Sequence, residues 1–358
     1  MRENLLTESN QNDVSVTLEG SGFDPVKNVR LNREGEFLYA LKPKTDEVLH
    51  RICVEVSLGS DNVKYVVLRS PLLIENATEI PVELGVYDAQ DGHLLKIEKI
   101  APGEARPAPV GAAYEKRALI RPDAGFGYEW SGEQLWWRDL LKRPTKQVVC
   151  KAENGDPFYF QVNARFNRAN PMTKVYPHMK IKLSAPVTLE NLLPYDFKYR
   201  IYDKNTKKDW SNFLRKGGVS PVHVVELSHL LLLSVDMQDT VFKPSEFAII
   251  NSGANEDFRK ENKIVVKDDQ GLPLHLKLQY FKIPNSGGAF KVTVYSPYVV
   301  LNKTGLDLTV RAKSFMQNAR PAAGQHPMID RSDEDRPKAL PFMFSYGNDD
   351  NRNRALLQ

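Results

Sequence analysis

The chain has 358 residues, 41% of them hydrophobic, and its 49 Lys and Arg residues against 45 Asp and Glu residues give a net charge of +4. That length and apolar content suffice for roughly two or three ordinary domains with buried cores, and they exclude a disordered polyelectrolyte. A charge this small over so long a chain does not indicate a nucleic-acid-binding protein, so any charged binding surface has to be a local patch.

The sequence carries no pattern typical of secretion or membrane insertion. The polar tail 1–13 lacks the apolar core and the small-residue cleavage site of a signal peptide. A purely apolar run such as Leu230–Leu233 has four residues, far short of the roughly 20 that cross a bilayer. Cys53 and Cys150 are too few for a disulfide framework and too far apart for a CxxC metal or redox site. We therefore expect a protein of a reducing compartment.

Segment after segment alternates apolar and polar residues with the period of two that a half-buried β-strand requires. In the clearest case, Phe158, Phe160, Val162, Ala164 and Phe166 point to one face while the residues between them point to the other. The same alternation recurs, in chain order, in residues 14–18, 52–56, 181–183, 197–201, 274–280 and 292–294. The pattern predicts an all-β protein.

Three segments depart from this alternation. Residues 1–13 are predicted to form a loose polar tail, and residues 314–338, rich in Ala, Gln, Asp, Arg and Pro, a long surface loop. Residues 133–141 fit either a short amphipathic helix that ends before Pro144 or the edge of a strand. The sequence leaves both interpretations of this last segment open.

An internal repeat organises the chain. A Pro stands five residues before an Asn, with an apolar strand between them, in the segments 71–76, 186–191 and 297–302. Tyr-Asp recurs eleven residues beyond the first two of these Asn residues. Asn76 and Asn191 lie 115 residues apart, and Asn191 and Asn302 lie 111 residues apart. Spacing this regular predicts repeated structural units.

The length of the repeat predicts the architecture, because a β-sandwich has roughly 100 residues. We predict a tandem array of β-sandwich repeats of about 110–115 residues. Residues 71–185 and 186–296 would be complete repeats. Residues 14–70 would be the end of a preceding repeat, and residues 297–358 the start of a following one that contains the loop 314–338.

The repeated asparagines Asn76, Asn191 and Asn302 are the candidate site residues. An Asn side chain hydrogen-bonds nearby backbone and tolerates turn geometries that other side chains resist. At the end of an apolar strand and before a short turn, it would lock the turn and set the register of the next strand. The same loop edge could also present a groove for a peptide ligand, and our hypothesis is that both roles hold.

Four motifs of the sequence are similar to those of a known family. They are Gly22-Phe23-Asp24-Pro25, Val67-Leu68-Arg69-Ser70-Pro71, Glu190-Asn191-Leu192-Leu193-Pro194 and Ser296–Leu306, the last of which is the most specific. On these motifs the chain resembles the vacuolar protein sorting-associated protein 13 family, and within it a fungal-like fragment of the adaptor-binding (VAB) domain, the end of which is also called the SHR-binding region. The similarity covers nearly the whole chain.

The resemblance implies a function. Family members are very long lipid-transfer proteins in which an N-terminal channel carries glycerophospholipids between membranes. Their VAB domain comprises six β-sandwich repeats, each with an Asn, and three of these asparagines correspond here to Asn76, Asn191 and Asn302. The domain receives Pro-x-Pro motifs of adaptor proteins. The implied role is a non-enzymatic module that recruits the protein to the cytoplasmic face of endosomes, vacuoles or mitochondria at membrane contact sites.

The extent of the resemblance affects this role. The chain resembles the second and third repeats, flanked by pieces of the first and fourth, whereas the family's adaptors dock mainly on the fifth and sixth. The fragment is therefore expected to consist of scaffold repeats rather than the main peptide site. Its own Pro107-Ala108-Pro109 is interpreted as an edge strand, where Pro is tolerated, rather than as an occupied ligand site.

A basic stretch between residues 195 and 217 is a second candidate surface. It could approach anionic lipid headgroups and give an indirect association with membranes. Because acidic residues are interspersed, a solvated face of strands and loops is the alternative. The candidate residues are Lys198, Arg200, Lys204, Lys207 and Lys208.

The sequence provides no framework for catalysis, a metal or another cofactor. Its seven His residues include no HExxH motif, and no G-x-S-x-G or P-loop string is present.

The alternative function from another class is a carbohydrate-binding or adhesion-type β-sandwich array, in which tryptophans would stack on sugars. The tryptophans concerned are Trp130, Trp136, Trp137 and Trp210. Unpaired cysteines argue against this alternative.

Overall fold

The alternating segments form strands in the computed structural model, which describes residues 13–88, 90, 92–255, 257–313, 320–346 and 354–357. Strands far outnumber helices among these residues, which confirms the predicted all-β fold. The chain divides into two compact units, Met1–Ser184 with Pro284–Gly287 and Ala185–Ile283 with Gly288–Gln358. The predicted tail 1–13 lies outside the described residues except for Asp13, at which the first strand begins.

The first unit contains thirteen strands among its described residues. They are β1 Asp13–Val16, β2 Val26–Arg30, β3 Gly35–Ala40, β4 Arg51–Leu58, β5 Lys64–Arg69, β6 Leu72–Asn76, β7 Val82–Tyr87, β8 Leu94–Ile100, β9 Ala105–Pro107, β10 Arg117–Pro122, β11 Thr145–Cys150, β12 Phe158–Arg165 and β13 Met179–Ser184. Two short helices, α1 Trp137–Lys142 and α2 Met172–Val175, lie in the connections after β10 and β12.

Strands β6 to β13 form a β-sandwich. A five-stranded sheet in the order β11-β12-β13-β6-β9 faces a three-stranded sheet in the order β10-β7-β8. Their inward side chains share one core, in which Phe160 and Ile181 from the first sheet meet Leu84 and Ile120 from the second. The preceding strands form the sheets β1-β2 and β3-β4-β5 around a smaller core that includes Val29, Val54 and Val56.

The second unit contains the remaining strands. They are β14 Val187–Asn191, β15 Phe197–Asp203, β16 Lys208–Leu214, β17 Val219–Val222, β18 Leu231–Met237, β19 Ala248–Asn251, β20 Lys263–Lys267, β21 Pro273–Lys282, β22 Phe290–Tyr295, β23 Tyr298–Val300, β24 Val310–Lys313, β25 Arg320–Pro321, β26 Ile329–Asp330, β27 Lys338–Ala339, β28 Phe342–Phe344 and β29 Arg354–Leu357.

Strands β14 to β22 form a second β-sandwich. Its five-stranded sheet runs β17-β14-β22-β21-β20, its four-stranded sheet runs β16-β15-β18-β19, and both contribute to one core. Strands β23 to β29 form small sheets in the orders β23-β28, β25-β24-β29 and β26-β27. A separate cluster that includes Val310, Met328 and Phe342 fills the space among them.

The two sandwiches close in the same way, because the first strand of each pairs in parallel with its last strand. Strand β6 pairs with β13 so that Asn76 lies opposite Leu183, and β14 pairs with β22 so that Asn191 lies opposite Val294. Parallel strands cannot be joined by a tight turn, so this pairing requires the whole intervening chain. The repeat boundaries at residues 70, 185 and 296 stay a prediction.

Two irregular segments take up definite positions. Within residues 133–141, which the sequence left open, Leu135 pairs with Ala118 of β10 through two backbone hydrogen bonds, and α1 begins at Trp137. Residues 314–319 of the predicted loop 314–338 lie outside the described residues. The rest is not wholly a surface loop, because Ala322, Ala323 and Met328 are buried. Their apolar side chains belong to the cores of the second unit.

Two valines, each five residues before a repeated Pro, test how much burial in a complete sandwich contributes to stability. Val292 in β22 is fully buried, whereas Val66 in β5 is 39% exposed. We expect Val292→Ala to lower the free energy of unfolding by about 2–3 kcal/mol through lost burial and a cavity. Val66→Ala should lower it by less than about 1 kcal/mol. Urea unfolding followed by tryptophan fluorescence measures both, and equal losses would contradict the claim that burial in the complete sandwich makes the difference.

Candidate functional site

The three repeated asparagines end or follow the first strand of their repeats. Asn76 and Asn191 are the last residues of β6 and β14, and Asn302 lies two residues beyond β23. Their relative exposures are 0%, 0% and 3%. A polar side chain this deeply buried has to be hydrogen-bonded, since an unpaired amide is costly away from water.

The amide nitrogen of each Asn spans the turn that follows it. Nδ2 donates to the carbonyl oxygen four residues on, at 2.8 Å to Ile80, 2.9 Å to Tyr195 and 2.7 Å to Leu306. In the complete sandwiches the same nitrogen also reaches the second sheet, where it donates to Ile100 O at 2.9 Å or to Leu214 O at 3.1 Å. One amide group therefore joins the turn to the end of the second hairpin strand, β8 or β16.

The amide oxygen of each Asn holds the inside of the turn. Oδ1 accepts the backbone N–H two residues on, at 3.0 Å from Thr78, 2.9 Å from Leu193 and 3.1 Å from Thr304. The two threonines add their hydroxyls, which donate to the same oxygens at 2.6 and 2.7 Å. The Asn-x-Thr sequences are thus built into turns, with the hydroxyl bonded inside the protein.

Backbone bonds of the same residues tie in the edge strand. Asn76 N–H donates to Glu104 O at 2.9 Å, and Asn76 O accepts from Gly103 N–H at 2.8 Å. The second sandwich repeats this arrangement with Gly218 and Gly217. Gly103 and Gly217 have φ values of +77° and +73°, in the left-handed region that favours glycine. In each complete sandwich, the first strand, the edge strand and the opposite sheet thus come together at one Asn.

This geometry limits how the asparagines can serve a ligand. Their amides bond to the protein's own backbone and present almost no surface to solvent. The nearby exposed groups are apolar, with Leu192 at 52% and Leu306 at 71% exposure. A groove for a peptide, which stays a prediction, would have to be shaped by the turn rather than lined by the amide.

The predicted basic patch lies on the hairpin of β15 and β16 in two groups. Lys198 and Arg200 point outward from β15, whereas Lys204, Lys207 and Lys208 lie at or beside its tip. Six residues of strand separate Lys198 from Lys204, a distance of about 20 Å. Arg200 is paired with Asp209, to which its Nε donates at 3.0 Å, and it stacks on the Phe247 ring. The lysines at the tip carry most of the unpaired charge of the patch.

The repeated Tyr-Asp motif, to which sequence reasoning assigned no role, locks the tip of this hairpin. The carboxylate of Asp203 is buried and accepts N–H groups from Asn205 at 2.9 Å and Thr206 at 3.1 Å. His229 Nδ1 lies 2.7 Å from its other oxygen. Asp88 holds the equivalent hairpin of the first sandwich, with Lys116 as its cation. Its recurrence at equal distance from Asn76 and Asn191 was the available signal.

A polar cluster around the buried Arg69 in the first unit combines residues from β3, β4 and β5 with β13 and the residue before it. Arg69, whose side chain is 4% exposed, bonds to Glu36 and Glu55 at 3.0 Å each. His178 Nε2 lies 2.9 Å from Glu36, and Lys180 lies 3.6 Å from it. The hydrogen bond from His178 and the charges of Arg69 and Lys180 lower the pKa of Glu36 from 4.5 to about 2. These residues are distant in sequence, so no motif indicated them.

The same cluster contains side chains of the kinds that bind metal ions. Potential ligand atoms of Glu36, Cys53 and His178 lie within 4.8 Å of one another. Burial raises the pKa of the Cys53 thiol to about 11, which disfavours the thiolate that a metal needs. Arg69 and Lys180 already neutralise the carboxylate and would repel a cation. The arrangement therefore fits an ion-pair network that joins β3 and β5 to β13.

The four tryptophans make contacts within the protein, and Trp210 packs against the core of the second sandwich. Trp137 is 1% exposed, and its Nε1 donates to Tyr114 O at 2.8 Å within the core. Guanidinium groups lie over the rings of Trp136 and Trp130, at 4.8 and 4.3 Å. These contacts weaken the carbohydrate-binding alternative. No helix among the described residues is long and apolar enough to span a membrane.

The chain is similar to known proteins over its whole length. The family described as "Vacuolar-sorting associated protein 13, adaptor binding domain" matches residues 1–358. "Intermembrane lipid transfer protein VPS13" of Chaetomium thermophilum is 63% identical over all of this chain, which covers 11% of that relative. Human "Intermembrane lipid transfer protein VPS13D" is 23% identical over 86% of the chain and 7% of its own length. Dictyostelium discoideum "Intermembrane lipid transfer protein vps13E" is 24% identical over 70% of the chain and 6% of its own length.

Asn191→Ala tests the contribution of the repeated amide. It removes three hydrogen bonds and leaves buried backbone groups without partners, so we expect the free energy of unfolding to fall by about 2–4 kcal/mol. The exposed Asn212 provides the control, and Asn212→Ala should change stability by less than about 0.5 kcal/mol. Urea unfolding measures both, and equal effects would show that the buried amide is not a special contributor.

Acid unfolding tests the cluster around Glu36. Because its pKa is lowered in the folded state, Glu36 contributes stability above pH 4.5, and that contribution is lost as the pH falls from 4.5 towards about 2. We expect Glu36→Gln to be less stable than the unmodified protein at pH 7 and the difference to shrink over this range. Urea midpoints measured at several pH values test this, and parallel curves would refute it.

Proposed function

Since the chain belongs to the family of vacuolar-sorting associated protein 13 adaptor-binding domains, we propose that it is a non-enzymatic targeting module of a lipid-transfer protein. It binds adaptor proteins that carry Pro-x-Pro motifs and so brings its parent protein to the cytoplasmic face of organelle membranes at contact sites. Endosomes, vacuoles and mitochondria are the proposed locations. The module itself contacts membranes indirectly, through the adaptors.

One observation carries this proposal above the others: the adaptor-binding family matches every residue of the chain. The relatives are named as intermembrane lipid transfer proteins, and the chain spans about a tenth or less of their length. Transfer of lipid therefore belongs, in the proposal, to parts of such proteins outside this chain. The repeats described here supply the sheet edges on which an extended peptide can be recognised.

The backbone of a Pro-x-Pro strand suits the edge of a sheet. Residues i and i+2 of a strand direct their backbone groups to the same side, so two prolines remove N–H donors from one edge only. The other edge keeps the N–H of the middle residue and can pair. Such a segment can bind an open sheet edge but cannot extend the sheet further, which favours one-to-one recognition over aggregation.

The chain contains an internal example of this pairing. In Pro107-Ala108-Pro109, the N–H of Ala108 donates to Leu72 O of β6 at 2.9 Å. Pro107 lies opposite Leu73, at the edge of the five-stranded sheet. The sequence predicted an edge strand here, and the segment lies at the sheet edge beside the strand that carries Asn76. An adaptor would use the same chemistry on an edge that the protein leaves open.

Within the second sandwich, β16 is the edge best suited to an adaptor strand, because the other three edges are less available. Strand β17 contains Pro221, which has no N–H. The edge of β19 is occupied by Glu261, whose N–H donates to Ile249 O at 2.7 Å, and the edge of β20 by Lys243, whose N–H donates to Lys267 O at 2.8 Å. On β16 the N–H of Phe213 is bonded at 2.8 Å by the adjacent Asn212 side chain rather than by a strand. An extended ligand can displace that side chain.

The side chains along β16 suggest what such a ligand contains. Phe213 is 44% exposed and provides an apolar contact for a proline ring. Lys208 begins the strand, and Lys207 precedes it. Acidic residues next to the Pro-x-Pro motif would pair with these lysines. The basic patch thus serves peptide recognition in this proposal, with attraction to anionic lipid headgroups as its alternative use.

Titration with a labelled Pro-x-Pro peptide tests the proposal. We expect the peptide to bind the chain and an Ala-x-Ala version to bind at least about tenfold more weakly. A longer protein with two further repeats distinguishes a receptor from a scaffold, because binding by the longer form alone would assign these repeats a scaffold role. Failure of both forms to bind would refute the proposed function.

Ser211→Pro tests whether β16 is the edge used. Proline removes a backbone donor and is tolerated on an edge strand, whereas Ser211→Ala removes the same hydroxyl and keeps the donor. We expect the proline variant to lose at least about tenfold in peptide affinity and the alanine variant to bind normally. Equal binding by the two variants would exclude β16 as the docking edge and leave the rest of the proposal standing.

A further inference from the structure

A turn of the first sandwich contains the one Asn-Gly pair of the sequence, Asn154-Gly155. It lies between β11, which ends at Cys150, and β12, which begins at Phe158. Both residues of the pair are exposed. An asparagine amide can be attacked by the backbone nitrogen of the next residue, and glycine offers the least obstruction because it has no Cβ. The pair therefore has the chemistry for a spontaneous modification.

The strand ladder does not restrain this turn. Cys150 and Phe158 are the last pair of the ladder between β11 and β12, so the residues between them lie beyond it. Ala152 forms a single bridge to Tyr128. The Asn154 amide makes no hydrogen bond to another described residue. Its side chain can therefore rotate towards the backbone that follows without breaking a bond.

The space around Gly155 is open. A Cβ added there would meet one atom within 4 Å outside the adjacent residues, the Cβ of Ala152 at 3.7 Å. That distance is an ordinary van der Waals contact. Gly155 is not among the glycines with a positive φ value, so its backbone conformation is open to other residues. The fold thus leaves the nitrogen of Gly155 accessible and tolerates alanine at this position.

An asparagine followed by serine in the second sandwich shows the opposite situation. Asn251, which precedes Ser252, is 8% exposed. Its Nδ2 donates to Leu227 O at 2.9 Å and to His229 O at 2.8 Å. Rotation of this amide towards the next backbone nitrogen would break two buried hydrogen bonds, which is costly. The fold therefore protects Asn251 and leaves Asn154 unprotected.

We propose that Asn154 is a site of spontaneous deamidation, a modification that is independent of adaptor binding. The Gly155 nitrogen attacks Cγ of Asn154, a new C–N bond forms, and the bond from Cγ to Nδ2 breaks. Ammonia leaves with the proton that the Gly155 nitrogen gives up, and a five-membered succinimide remains. Water then opens the ring at either carbonyl and leaves an aspartyl or an isoaspartyl residue at position 154.

The products change the charge and the length of the turn. Each adds one carboxylate beside Glu153 and Asp156, and the isoaspartyl form also inserts a methylene group into the backbone. Because the turn lies outside the ladder of β11 and β12, the strands keep their pairing. The sandwich therefore remains folded while an acidic, exposed turn becomes more acidic.

The isoaspartyl product defines the class of enzyme that can act on it. A methyltransferase that uses S-adenosylmethionine can transfer a methyl group to an exposed isoaspartyl carboxylate. The Gly155 nitrogen then attacks the methyl ester, methanol leaves, and the succinimide forms again. Hydrolysis of the ring returns part of the chain to an ordinary aspartyl residue. The proposed partner at this turn is an enzyme of this class.

Peptide mapping by mass spectrometry, after incubation of the folded protein at mildly alkaline pH, tests the modification. We expect the amide of Asn154 to convert to acid at least about tenfold faster than that of Asn251. Gly155→Ala keeps the asparagine and fits the fold, and it should slow the conversion at least about tenfold, because its Cβ obstructs the attacking nitrogen. Its urea midpoint should equal that of the unmodified protein. Equal conversion of Asn154 in the two proteins, or faster conversion of Asn251, would overturn the proposal.

Methyl transfer tests for the isoaspartyl product. After the same incubation, a purified isoaspartyl methyltransferase with labelled S-adenosylmethionine should place label on the peptide that contains residue 154. Asn154→Gln provides the control, because its longer side chain would have to close a six-membered ring. We expect at least about tenfold less label on its peptide. Equal labelling of the two peptides, or no labelling of the unmodified sequence, would overturn the assignment of the isoaspartyl product.

Discussion

The parallel pairing of the first strand of each sandwich with its last strand is the constraint on which the rest of this structure depends. A parallel pair needs a long connection, so each pairing encloses an entire sandwich between its two strands. The pairs β6 with β13 and β14 with β22 place every other strand of their repeats at a fixed distance from one buried Asn.

Buried polar groups hold this arrangement in register. The Asn amide joins the first strand to a turn and to the opposite sheet, and the Asp of the Tyr-Asp motif fixes the tip of the following hairpin. Both side chains are bonded to backbone, so each fixes the geometry of the chain around it. The surfaces left for recognition are consequently the strand edges and the side chains beside them, which agrees with a family that binds adaptor proteins.

Much of the fold was predictable because its signals are local and repeated. Alternation of apolar residues identified the strands, and the spacing of Asn76, Asn191 and Asn302 identified the units. Asn is suited to turns by its own chemistry, so its place at the end of a strand could be inferred. The cluster of Glu36, Arg69 and His178 could not, because its members are far apart in sequence and only the packing of β3, β5 and β13 brings them together. The burial of Ala322 and Met328 inside a polar segment was missed for the same reason.

The sequence by itself determined the class of fold, the period of the repeat and the residues that mark each unit, since all three depend on patterns along the chain. Only the tertiary structure decided which edges are covered and which stay open. Pro107-Ala108-Pro109 covers β6, and Lys243 meets β20, through bonds between segments that no local pattern connects. The first impression of two or three independent domains in 358 residues thus becomes two β-sandwiches accompanied by smaller sheets. Covered edges could not be inferred along the chain, because a sheet edge is a property of pairing and not of sequence.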